Sequence, residues 1–179
     1  MHPTRGWALR GTTQLIRAAL LNNLPRVLQL VQLSAPIDLV EAIEKMSALH
    51  WASREGHERV AKALLDGKYE GRGADVNFRR LGGSWPPLMY ASWYGHEGVV
   101  RLLLERGARL ELQGERGWTA LHCAVEGDHA VVLEALCSTQ GAAAALALRN
   151  SDDETPLAAA IEDGSAACEA VLRAHGAPK

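Results

Sequence analysis

The chain has 179 residues, a length that suits one compact domain or a short repeat array and argues against two large independent domains. Its 19 Lys and Arg against 21 Asp and Glu leave a formal charge of -2, so no basic excess exists to hold a polyanion, and general nucleic-acid binding is disfavoured. Ala (29) and Leu (26) dominate while Ile (4) and Phe (1) are scarce, a helix-forming composition that makes an all-α fold the expectation.

In chain order, the first 11 residues read as an N-terminal tail. Met1-His2-Pro3-Thr4-Arg5 has no apolar run behind it, and the longest apolar stretch, Gly141 to Leu148, is too short to span a bilayer. A weak motif then opens at Thr13-Gln14-Leu15-Ile16-Arg17-Ala18. It recurs as Ser47-Ala48-Leu49-His50-Trp51-Ala52, Pro86-Pro87-Leu88-Met89-Tyr90-Ala91, Thr119-Ala120-Leu121-His122-Cys123-Ala124 and Thr155-Pro156-Leu157-Ala158-Ala159-Ala160. The leucines at 15, 49, 88, 121 and 157 are spaced by 34, 39, 33 and 36 residues. Seven residues after each stands Asn22, Gly56, Gly95, Asp128 or Gly164, residue types that accept a left-handed helix stop, so each copy begins with a helix of about two turns. Val60, Leu64 and Leu65, then Val99, Val100, Leu103 and Leu104, then Val132, Leu133 and Leu136 have the spacing of one face of a second helix. Closing turns follow at Gly73-Ala74-Asp75, Gly107-Ala108-Arg109 and His175-Gly176-Ala177.

On this motif and period the chain resembles the ankyrin-repeat family, whose T-P-L-H-x-A pattern recurs about every 33 residues. The resemblance implies an all-α solenoid of about five helix-turn-helix repeats with short turn tips and a concave face. The expected repeats are 12–41 (degenerate, an N-terminal cap), 42–77 with a loop insertion at 66–73, 78–112, 113–149 and 150–179 (a C-terminal cap). Each hairpin leaves an apolar face that only its neighbour can cover, so Leu49, Leu64, Leu88, Leu103, Leu121 and Leu136 are expected in the shared core. Two stretches depart from the pattern. Pro86 and Met89 replace the hydroxyl and imidazole of the motif, removing a helix cap that is typically worth about 1 kcal/mol. Between Gln140 and Asn150 an alanine-rich run replaces the usual turn, and an extended second helix and an irregular joint fit it equally well.

Most of the seven histidines fall on repeat positions. His50 and His122 belong to the motif, and His57, His96 and His129 follow the first-helix stop, so a structural role is expected of all five. His57-Glu58 and His96-Glu97 do not continue as H-E-x-x-H, and no Walker loop, dinucleotide loop or nucleophile elbow occurs. The three cysteines are dispersed without C-x-x-C spacing, which suits a reducing compartment. No catalytic residue, metal ligand, cofactor, small-molecule substrate or membrane contact is therefore expected. The chain reads as a soluble, monomeric protein of the cytoplasm or nucleus, although Arg79-Arg80 is too short for a nuclear signal.

Function should sit on side chains that packing does not need. The resemblance implies that the turn tips and the residues just before each first-helix stop face the groove. On the helices these are Arg54, Glu55, Trp93, Tyr94, Glu126, Gly127, Glu162 and Asp163. The tips add Met46, Trp85 and Trp118, with Arg79, Arg80, Glu115, Arg116, Asp152 and Asp153 nearby. Trp51, Trp85, Trp93 and Trp118 all fall in first-helix or turn segments, and indole rings are favoured interface anchors. The tryptophans could alternatively shield one another as packing. Residues 1–89 carry a net +4 and 90–179 a net -6, a polarity that would orient an elongated partner. The expected function is a protein-interaction module, an adaptor or scaffold for a protein partner. The alternatives are an inhibitor that occludes an enzyme or transcription factor, or a recruiting subunit whose effector lies on another chain or a surface patch, since nothing follows Lys179.

Overall fold

A computed structural model describes residues 14–41, 45–67, 73–79 and 85–178. Among these it holds eleven α-helices and, in place of a sheet, one isolated antiparallel bridge between Val40 and Ser47. The helices are α1 (Gln14–Leu20), α2 (Leu24–Gln32), α3 (Ala48–Arg54), α4 (Glu58–Leu65), α5 (Pro87–Trp93), α6 (Glu97–Glu105), α7 (Ala120–Glu126), α8 (Ala130–Cys137), α9 (Ala142–Leu146), α10 (Pro156–Glu162) and α11 (Ala166–Ala174). They pair into five hairpins, α1/α2, α3/α4, α5/α6, α7/α8 and α10/α11. The first helices stack in the order α1, α3, α5, α7, α10, and the second in the order α2, α4, α6, α8, α11. This is the all-α repeat stack that the sequence pattern predicts.

The same local chemistry closes each first helix, and a hydroxyl residue opens three of them. Ser47, Thr119 and Thr155 stand at the N-caps, and Thr155 Oγ1 accepts the Ala158 N–H at 3.2 Å. Asn22, Gly56, Gly95, Asp128 and Gly164 all have positive φ, between 53 and 77°. The next N–H then folds back on the carbonyl of Ala18, Ala52, Ala91, Ala124 or Ala160 at 2.8–3.0 Å, the 6→1 bond that ends a helix with a left-handed residue. Those alanines are themselves buried, so the residue that accepts the closing bond also lets neighbouring first helices approach.

The core runs the length of the stack. Leu15, Leu49, Leu88, Leu121 and Leu157 are each at most 2% exposed, as are Leu64, Leu103, Leu136 and Leu172 on the second helices. Each such burial is worth roughly 1.5–3 kcal/mol, and all nine belong to one continuous core cluster.

The two irregular stretches resolve differently. The helix stops of α6 and α11 are closed by bonds from Ala108 N to Leu103 O and from Ala177 N to Leu172 O. In the second repeat, Ala74 N reaches Leu64 O at 2.9 Å across a longer span. The insertion is thus spliced into the helix stop and leaves its closing bond intact, although residues 68–72 lie outside the described region. After α8 the helix does not extend. It ends at Cys137, Gly141 takes φ 89°, and α9 begins as a separate turn that buries Ala142, Ala145 and Leu146 beside α8.

Candidate protein-binding face

The histidines tie the repeats together. His50 Nδ1 accepts the Ser47 N–H (3.2 Å) and hydroxyl (2.8 Å), while its Nε2–H donates to the Trp85 carbonyl of the next tip at 3.1 Å. His122 repeats this with Thr119 and the Glu154 carbonyl, at 3.1 Å for the Nε2 bond. The second set points backwards: His57, His96 and His129 donate to the carbonyls of Leu20, Arg54 and Trp93 at 3.3, 2.9 and 3.0 Å. Burial lowers the His50 pKa to about 4 and moves His122 the same way, which keeps both imidazoles neutral with Nδ1 free to accept. The third repeat has no such forward bond, because Met89 occupies the imidazole position and is buried.

Two register positions of the repeat supply most of the side chains that remain on the inner face. Counting from the motif leucines of the second to fifth repeats, the residue five positions on is Arg54, Trp93, Glu126 or Glu162, and the residue three positions before is Met46, Trp85, Trp118 or Glu154. Both rows change from apolar or basic through aromatic to acidic along the stack.

In the middle the two rows meet. Trp93 lies 5.3 Å from Trp85 and 5.4 Å from Trp118, Trp85 and Trp118 stack at 6.1 Å with an interplanar angle of 21°, and Tyr90 joins Trp85 at 5.5 Å. All four rings are half-buried, so the cluster is both a packed unit and a surface. Gly114 makes room for it, because a Cβ there would stand 2.5 Å from Trp85 Cδ1. Trp118 Nε1 is covered and has no acceptor among the described residues, an arrangement that typically costs about 1–3 kcal/mol.

On the basic side, the Arg54 guanidinium lies between two rings, 5.0 Å from Trp51 and 5.5 Å from Tyr94, with Glu55 at 3.8 Å. Arg79 donates to the Gln113 carbonyl at 2.9 Å and so ties two tips together. On the acidic side, a cleft of about 450 Å³ opens between α7 and α10. Trp93 and Trp118 form one wall, and Glu126, Asp152, Glu154, Glu162 and Asp163 contribute carboxylates. Among the described residues its one cation is Arg116, which pairs with Asp152 at 3.0 Å and lies 5.8 Å from the Trp118 ring.

The structure thus brings Trp85, Trp93, Trp118, Arg116 and Glu126 into one neighbourhood and places Arg54, Glu55, Tyr94 and Arg79 beside it; Arg80 lies outside the described residues. Two expectations from the turn and helix positions need correction. Met46 is only 2% exposed, because the bridge from Val40 to Ser47 and the bond from Met46 N to Glu41 Oε1 turn it into the core. Gly127 serves spacing, since a Cβ there would stand 2.6 Å from the Trp93 carbonyl that His129 uses. The residue that sequence reasoning passed over is Glu154. Its register matches that of Trp85 and Trp118, three residues before the motif leucine.

The family model described as ankyrin repeats in three copies matches residues 15–113 and again residues 109–179. Rabankyrin-5 of Mus musculus is 31% identical over 137 residues, covering 70% of this chain and 11% of that protein. Ankyrin repeat and SAM domain-containing protein 3 of Homo sapiens is 41% identical over 64 residues, covering 36% and 9%. The probable E3 ubiquitin-protein ligase XBOS32 of Oryza sativa subsp. japonica is 40% identical over 85 residues, covering 48% and 16%. The chain therefore spans a small fraction of each of these relatives. With five matched helical hairpins, recurring caps and stops, and this coverage, the chain belongs to the ankyrin-repeat family.

Proposed function

We propose that this chain is a non-catalytic adaptor or scaffold that binds a protein partner through its concave face. Trp93, Tyr94, Trp85 and Trp118 anchor the partner, and Arg54, Glu55, Arg79, Arg80, Arg116 and Glu126 form the polar rim. The observation that carries this reading is the half-exposed cluster of Trp85, Trp93 and Trp118 on the face that the stacking of repeats leaves uncovered. Ankyrin repeats are generally protein-interaction modules, and clustered indoles are the side chains most often found to dominate an interface. The histidines are already engaged in bonds between repeats, and burial raises the Cys137 and Cys168 thiols to about 12 and 11, leaving no activated nucleophile among them. Three unpaired thiols also fit a cytoplasmic or nuclear setting. The net charge of -2 fits a partner other than nucleic acid, and the chain is taken as a monomer.

Alanine at both Trp93 and Tyr94 should abolish capture of protein partners from cell extract while the far-ultraviolet helical signal is retained. Undiminished capture by the helical double variant would contradict the assigned face. A second reading, a recruiting subunit of a larger assembly, draws on the rice relative's description as a probable ubiquitin ligase. It predicts that a captured partner becomes a substrate of a co-purifying enzyme, and inhibition of that partner instead would favour an occluding regulator.

A further inference from the structure

We infer that the cleft between α7 and α10 receives a Lys or Arg side chain from an extended basic segment of the protein partner. This assignment rests on the protein-binding reading of the same face and adds the chemistry of what is bound.

The charge complementarity is local and one-sided. Five carboxylates line the cleft, from Glu126 and Glu162 on equivalent first-helix positions, Asp163 beside Glu162, and Asp152 and Glu154 on the tip, against the single guanidinium of Arg116. Asn150 Nδ2 donates to Glu154 at 2.9 Å and fixes that carboxylate in place. A side-chain hydrogen bond with Glu154, and after it that carboxylate's negative charge, raises the pKa of the Glu162 carboxyl, and an incoming cation favours its ionised form. The buried His122 adds no positive charge, because its imidazole is held neutral.

The second, independent feature is the aromatic wall. Trp93 and Trp118 lie 5.4 Å apart and both line the cleft, so a cation entering it meets aromatic rings as well as negative charge. Arg116 already shows the chemistry from within the chain: its guanidinium lies near the Trp118 ring and pairs with Asp152. That residue is 67% exposed along its side chain, so it occupies the rim and leaves the interior to a visitor. The cleft's volume of about 450 Å³ lies within the range of roughly 300–1,000 Å³ common for ligand clefts. Further along the groove the row turns to Trp93 and then Arg54, so a segment with its basic residue in the cleft lays apolar side chains over the indoles.

The test pans a display library of random twelve-residue peptides against three proteins: the native chain, Glu126→Gln/Glu162→Gln/Asp163→Asn, and Trp93→Ala/Tyr94→Ala. The three neutralised positions are exposed, so the first variant should fold, and circular dichroism and thermal melting check both variants. The expected result is a native-chain selection enriched in Lys or Arg at one position. The best synthetic peptide should bind the neutralised variant at least about tenfold more weakly, and Arg→citrulline within the peptide should cause a similar loss. Selected peptides that are neutral or acidic, yet lost on Trp93→Ala/Tyr94→Ala, would overturn the basic-segment assignment and leave the binding face standing. Peptides indifferent to both variants, or no selection at all on the native chain, would overturn both.

Discussion

At the scale of single residues, the histidines carry the most consequence. In the unfolded chain His50 takes up a proton near 6.5, whereas in the stack it resists protonation down to about 4. Between those values the unfolded chain binds more protons, so stability is complete above pH 6.5 and falls as pH drops toward 4. For His50 the loss amounts to about 3 kcal/mol by pH 4, and His122 adds to it in the same direction. Urea unfolding at pH 7.5 and pH 4.5 checks this, with His50→Gln expected to flatten the difference. The converse substitution concerns Met89: paired with Pro86→Thr, Met89→His restores both the cap and a donor toward the Trp118 carbonyl. The double variant should gain about 1–2 kcal/mol in urea unfolding at neutral pH. A loss would mean that the cluster of Trp85 and Trp118 depends on the thioether.

Elements show which features were legible in the sequence. The helix stops were, because the seven-residue spacing from Leu88 to Gly95 and its four counterparts is a local relation between a core residue and a left-handed turn. What that pattern did not reveal is how the next repeat leans on the stop. Gly95 and Gly164 have similar φ of 77 and 70°, but a Cβ at Gly95 would stand 2.6 Å from the His129 ring, whereas one at Gly164 meets nothing within 4 Å. Gly95→Ala should therefore destabilise by about 2–3 kcal/mol and Gly164→Ala by about 1 kcal/mol, read as a difference in urea midpoints. The fate of Met46 escaped for the same reason, since its register equals that of Trp85 while its exposure depends on the bridge to Val40. The short α9 also escaped, because an alanine-rich run has helical propensity with or without a break, and Gly141 decides it.

Across the whole molecule, stability is shared between neighbours, and so is the site. Leu121 is fully buried on α7, which packs on both α5 and α10, so Leu121→Ala should cost about 2–5 kcal/mol and loosen the joints on both sides of the aromatic cluster. Hydrogen exchange should show the added opening spreading to α5 and α10 before α1. The charge division between the two halves was countable from the sequence, and the groove does run from Arg54 through indoles to Glu162. Its local sign around Arg116 was not countable. In the sequence that arginine has only Glu115 as a close charged neighbour, but stacking the fifth repeat beside it surrounds it with carboxylates.

The central claim is that stacking leaves the row of first helices and tips free for recognition. Its most direct measurement is nuclear magnetic resonance of the ¹⁵N-labelled chain titrated with the best selected peptide, following the indole N–H signals. Trp93 and Trp118 should shift, with the amides of α7 and α10, while Trp51 and the second helices stay still. Shifts confined to α4, α6 and α8, with the indoles of Trp93 and Trp118 unmoved, would contradict it.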